Sequence, residues 1–153
     1  SPYNPAFRAH IGPAGRAPIP VGFYLVLSPR QSIIGGGLYA AMFSEATEQI
    51  RQHIAGHLAE LEAILQEEAF ARSFTLQGEK LKRVPRSFEA DHPAGEYLKH
   101  KSWYIQYEFS PAELSDDHIF CTSVLEKCRL MRPFNDYINT ALAGFQMPER
   151  PKR

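Results

Sequence analysis

Six cations crowd into one stretch of this chain. Lys80, Lys82, Arg83, Arg86, Lys99 and Lys101 fall between Leu76 and Trp103, with His92 and His100 among them. Held in a fixed shape, such side chains bind anions: lysine as a point charge, arginine through its fork of N–H donors. The spacing argues for a fixed shape. Gly78-Glu79-Lys80 signals a turn, Pro85 and Pro93 mark two bends, and Leu81, Val84 and Phe88 alternate with the cations. A ribbon of this kind buries one face and charges the other. Its anion would be a phosphate, a carboxylate or a nucleic-acid backbone. The plainer alternative is a solvated surface.

Other residues that could do chemistry sort less sharply. His10, His92 and His100 lie on irregular segments beside basic residues. A neutral imidazole there acts as a general base, hydrogen-bonds an anion or simply caps a turn. His53 and His57 share a helix face at i, i+4, the spacing of a metal pair. No glutamate follows His53, and Gly56 weakens the helix that would hold the geometry, so no metal is expected. Gly35, Gly37 and Ala40 match G-x-G-x-x-(G/A). A long helical pattern follows, not a short helix and a second parallel strand. Gly35, Gly36 and Gly37 therefore read first as a strand that bends or admits another backbone. Their second reading is a ligand contact beside a helix N-terminus. No cofactor is expected. Ser28 and Ser32 lack a nucleophile elbow. Cys121 and Cys128 read as core-facing and inert. The candidate ligand-binding set is His10, Gly35, Gly36, Gly37, Lys80, Lys82, Arg83, His92, Lys99 and Lys101, and no motif assigns a reaction.

The composition sets the frame around these residues. A chain of 153 residues suits one domain. Its 17 basic and 17 acidic residues cancel, so no global field attracts nucleic acid or membrane. Binding must come from local clustering. The two cysteines, seven apart on a helix, stand about 10 Å apart along its axis, too far to bridge. Free thiols, no signal peptide and no apolar run of membrane-spanning length point to the cytoplasm.

Residues 1–20 are proline-rich and read as an extended arm, anchored by Tyr3, Phe7 and Ile11. Residues 21–146 form the domain and 147–153 a polar tail. Val21 to Ser28 and Ser32 to Ile34 read as strands joined by the Ser28-Pro29-Arg30-Gln31 turn into a hairpin. Met42, Ala46, Ile50 and Ile54, then Leu58, Leu61, Leu65 and Ala69, make a helical stripe that Gly56 divides or bends. Ser102 to Phe109 is the third good strand, with Trp103, Ile105, Tyr107 and Phe109 facing one way. Ser115 is placed as the cap of a helix lined by Ile119, Phe120, Val124, Cys128 and Met131. Pro133 ends or kinks it, and a last helix runs from Phe134 to Leu142. The expected fold is α+β: an antiparallel sheet of about three to five strands packed with helices.

Several short motifs stand in a particular order. They are Ser1-Pro2-Tyr3, Phe23-Tyr24-Leu25 with Ser28-Pro29, and Gly35-Gly36-Gly37-Leu38-Tyr39. Then come Gly78-Glu79-Lys80-Leu81-Lys82-Arg83 with Pro85, Asp91-His92-Pro93, Leu98-Lys99-His100-Lys101-Ser102 and Pro133-Phe134. In these the chain resembles a mainly bacterial family of conserved hypothetical proteins, domain-of-unknown-function family 2461. Members of that family carry the signature RxxRDxRFxxx(D/N)KxxY. Tyr3 matches its closing tyrosine, and Asn4 stands where the family has lysine. The resemblance implies an N-terminal part that this chain lacks, with further arginines near the same surface. It implies no activity. The expected function is binding of a phosphorylated or carboxylated small molecule. A non-catalytic interaction module, or a weak nucleic-acid binder, is the alternative. Apolar surface left by a missing segment would favour a homodimer.

Overall fold

Runs of aromatic and β-branched residues set the strands. In the computed structural model, which describes residues 5–12, 21–39 and 43–146, four strands form one antiparallel sheet. They are β1 (Phe7–Ile11), β2 (Phe23–Leu27), β3 (Ile33–Leu38) and β4 (Trp103–Glu108), in the order β1-β2-β3-β4. Helices α1 (Ser44–Gly56), α2 (Leu58–Gln66), α3 (Glu68–Ser73) and α4 (Gly95–Leu98) lie between β3 and β4, and α5 (Pro111–Leu114) and α6 (Asp117–Ala141) follow. The fold is α+β. Among the described residues no helix is long and apolar enough to cross a membrane.

Pairing register decides which side chains share a face. Leu25, Ile34 and Tyr107 line up across β2, β3 and β4, and so do Phe23, Gly36 and Ile105. This face carries the core. Ile34, Leu38, Trp103 and Ile105 pack there with Ile50 and Ile54 of α1, Leu98 of α4, and Met131, Phe134 and Ile138 of α6. The opposite face presents His10, Tyr24, Gly35 and Gln106 in one row, and Arg8, Val26, Ile33 and Glu108 in the next.

Asn135 ties α6 to the sheet. Its Oδ1 accepts from Gly37 N–H at 2.8 Å, and its Nδ2 donates to Gly22 C=O at 3.1 Å. The amide reaches this far because Gly36 has no side chain: a Cβ there would stand 2.6 Å from Oδ1.

Several sequence expectations change in detail. The Pro-rich arm contributes β1 to the sheet, but Phe7 and Ile11 stay 60% and 58% exposed and do not anchor it; Tyr3 lies outside the described residues. The long stripe becomes three helices. The first two meet at His57 beside Gly56. Glu67 caps α3, its carboxylate accepting from Ala69 and Phe70 N–H. Asp116 caps α6 by accepting from Ile119 N–H, while Ser115 closes the short α5. Ser110 and Glu113 form the capping box of α5, a helix the sequence reading missed because it lasts one turn.

Pro133 lies inside α6, which continues through it to Ala141. Burial of Phe134, Tyr137 and Ile138 beyond the proline outweighs the lost hydrogen bond. The buried side of α6 includes Ser123, Lys127, Met131 and Asn135. That register leaves Ile119 half exposed and Cys121 exposed, contrary to the expected stripe. Both cysteines are free thiols, and Cys128 is partly buried.

Candidate functional site

The basic segment extends the sheet beyond β4. Gln77 exchanges two backbone hydrogen bonds with Tyr104, at 2.8 and 3.2 Å. Lys101 N–H then donates to Glu79 C=O at 2.7 Å, and Leu81 N–H to Lys99 C=O at 2.7 Å. Gly78 makes this possible. Its φ of 139° lies where side chains are disfavoured, and a Cβ would collide with the Ser102 carbonyl. Residues 77–81 and 99–104 thus run as an antiparallel ribbon, with Lys80 opposite His100.

Arg51 of α1 fixes the ribbon from below. Its Nε donates to Leu98 C=O and its Nη2 to His100 C=O, both at 2.9 Å, and its guanidinium lies 5.8 Å from the Trp103 ring centroid. Trp103 Nε1 donates to Tyr97 C=O at 2.9 Å. Pro93 opens the bend before α4, where His92 Nδ1 accepts from Ala94 N–H at 3.0 Å. His92 therefore caps a turn. Sequence reasoning missed Arg51 because it stands in an ordinary amphipathic helix far along the chain from its partners.

Two lysines converge on one carboxylate. Lys99 Nζ lies 2.7 Å from Glu96 Oε1, and Lys80 Nζ 3.6 Å from Glu96 Oε2. The Lys99 hydrogen bond and charge, with Lys80 behind them, hold the Glu96 carboxyl below the usual carboxylate range. Lys101 pairs with Glu79 at 2.9 Å. Lys82 and Arg83 are exposed and form no ion pair among the described residues.

The remaining candidates lie elsewhere. His10 sits on β1, four strand spacings from the ribbon, or roughly 19 Å. It faces the side of the sheet away from the core, opposite Tyr24. There Tyr39 folds back over the glycines of β3. Its ring stacks on Tyr104 with centroids 4.0 Å apart and meets Tyr24 edge-on at 4.7 Å. Tyr24 OH donates to Tyr39 OH, which donates to Gln106 Oε1 at 2.7 Å. Burial and the Tyr39 contact raise the Tyr24 pKa, so this phenol stays neutral. A Cβ on Gly35 would overlap the Tyr24 ring. The space beside Gly35 and Gly36 is thus filled by Tyr24 and Asn135, and Gly37 donates its N–H to Asn135.

A second polar cluster pins α5 and α6 to β4. Glu113 accepts from Ser110 N–H at 3.0 Å, Tyr107 OH at 2.8 Å and Ser123 Oγ at 2.5 Å. Burial pushes this carboxyl up, but the three donors outweigh it and hold the pKa at about 2. Lys127, nearly buried, lies 4.3 Å from the Tyr107 ring centroid. His53 and His57 stack on each other at 4.1 Å, and no group of metal-ligating side chains occurs among the described residues.

His100 is buried under the ribbon, its Nδ1 3.1 Å from Ser102 C=O. Burial lowers its pKa from the ordinary 6.5 despite that carbonyl, with Lys80 lowering it further and Glu96 opposing. A pH-dependent stability follows. Above 6.5 the imidazole is neutral in both folded and unfolded chains. Below that, the unfolded chain takes the proton first, so stability falls until the folded-state pKa is passed. His53, also lowered by burial, adds to the same window. Urea unfolding between pH 7.5 and about 5 should show this loss, and His100→Gln should flatten it. An unchanged slope in that variant would remove His100 from the account.

Neither a curated protein nor a solved structure matches this chain. A family model described as "Conserved hypothetical protein (DUF2461)" matches residues 1–137. The match takes in the whole sheet, the ribbon and α6 as far as Tyr137, and on it the chain belongs to that family of conserved hypothetical proteins.

Proposed function

We propose that this protein binds a small organic anion, phosphorylated or carboxylated, on the ribbon. The supporting observation is the convergence of Lys80 and Lys99 on the Glu96 carboxylate. Glu96 is 69% exposed and sits on a flexible side chain. A phosphate or carboxylate can take its place between the two ammonium groups, and a phosphate brings more charge and more acceptor oxygens. Lys82, Arg83 and Lys101 extend the positive wall, and His92 holds the bend that shapes it. His10 and Gly35 face the tyrosine side of the sheet, Gly36 and Gly37 meet Asn135 of α6, and none of them is needed for this step. The Arg51 clamp keeps the ribbon ordered before binding, which lowers the entropy cost. The two free thiols suit a reducing compartment, and we place the protein in the cytoplasm.

Calorimetric titration with inorganic phosphate, then with phosphorylated and carboxylated metabolites, tests this. Lys80→Met/Lys99→Met should weaken binding about tenfold or more. Binding that is undiminished in the double variant would contradict the proposal.

The tyrosine face supports the alternative of a non-catalytic nucleic-acid platform. Tyr39 is 46% exposed, and bases stack on such rings without sequence preference. A single-stranded oligonucleotide should then bind with a steep salt dependence that Tyr39→Ala weakens. No binding at low salt would exclude it.

A further inference from the structure

A groove of about 400 Å³ opens between α6 and the β1–β2 side of the sheet. It lies at the opposite sheet edge from the ribbon, and nothing above uses it. Its size is that of a small-molecule site. Ile11, Val21 and Phe23 give it an apolar wall, and Arg129 and Arg132 of α6 stand on the other side.

The polar groups of the wall are mostly spent. Asn135 is committed to Gly37 N–H and Gly22 C=O, and Asn139 Nδ2 donates to Val21 C=O at 3.1 Å. The arginines are not. Spaced i, i+3, they are neighbours on the helix surface, where like charges repel. Asp136 lines the groove four residues beyond Arg132, yet neither arginine forms an ion pair among the described residues. Two guanidinium forks with no ion-pair partner among the described residues, beside an apolar wall, match a ligand with an anionic head and an apolar body.

We propose that this groove binds a small amphiphilic carboxylate. Its carboxylate is received by Arg129 and Arg132, and its hydrocarbon part lies against Ile11, Val21 and Phe23. Cys128 lines the same groove and is partly buried, so an occupant shields its thiol. Cys121 is exposed, does not line the groove and serves as an internal reference.

The test is alkylation of the full chain by iodoacetamide, read at each cysteine by mass spectrometry, with octanoate as the probe. Octanoate should slow modification of Cys128 about tenfold at saturation, leaving Cys121 unchanged. Octanol and inorganic phosphate at the same concentration should protect far less. Arg129→Gln/Arg132→Gln should abolish the octanoate effect, and Arg129→Gln alone should weaken it. Both arginines are exposed, so folding should survive, and circular dichroism checks this. No protection, equal protection by octanol, or protection that persists in the folded double variant would overturn the proposal. Lys80→Met/Lys99→Met should leave octanoate protection intact, which separates this site from the ribbon.

Discussion

Gly37→Ala is expected to destabilise the protein by about 3–5 kcal/mol. Gly37 holds a φ of 91°, which strains any residue with a side chain. Its added Cβ would also collide with the Trp103 carbonyl and stand 2.8 Å from the Phe134 ring. Both neighbours are fixed: Trp103 is 1% exposed and Phe134 0%. Relief would have to come from β3 itself, which would withdraw Gly37 N–H from Asn135 and leave buried polar groups unpaired. Gly56→Ala is the control. A Cβ there meets nothing within 4 Å, so stability should change little or rise by a few tenths of a kcal/mol. Urea denaturation of the two variants measures the contrast. A Gly37→Ala protein within about 1 kcal/mol of the parent would mean that β3 and β4 do not pack this closely.

Arg51→Leu should cost about 2–4 kcal/mol and also weaken anion binding. Leucine keeps much of the apolar stem but removes both donors. The carbonyls of Leu98 and His100 then lose charge-assisted bonds, and Trp103 loses the cation against its ring. Burial lowers the Arg51 pKa, yet guanidinium stays charged at any ordinary pH. The segment it releases carries Lys99 and Lys101. Stability by urea unfolding and phosphate affinity by calorimetry should therefore fall together. Loss of stability with unchanged affinity would show that ligand binding does not need the clamp. Arg51→Lys should recover only part of either effect, because one ammonium cannot span the two carbonyls as a fork does.

Strands β2, β3 and β4 could be read from the sequence because their apolar and aromatic runs end at turn residues. Trp103, Ile105 and Phe109 reached the core as their alternation implied. The ribbon was legible only in part: alternation suggests it over Glu79 to Val84 after a turn at Gly78, whereas Gly78 lies within it, its pairing with residues 99–104 ends at Leu81, and bends and turns follow. What stayed hidden depends on tertiary partners. Buried Lys127 and Ser123 break the apolar stripe of α6, and contacts with Tyr107, Ser73 and Glu113 make their burial tolerable. Pro133 reads as an end because local propensity cannot register how much apolar surface lies beyond it. The glycine triplet reads as a strand that bends or admits another backbone, whereas Gly35 and Gly36 admit the side chains of Tyr24 and Asn135, which are distant in sequence. Charge counting showed six cations in the segment but not that Glu96 and Glu79 hold three of them in place.

The anion site itself is tested most directly by removing its internal competitor. Glu96→Gln frees Lys80 and Lys99 without changing the size of the side chain. Titrated with inorganic phosphate at fixed ionic strength, this variant should bind several-fold more tightly than the parent, and Lys80→Met/Lys99→Met should scarcely bind. Equal phosphate affinity in all three proteins would contradict the account.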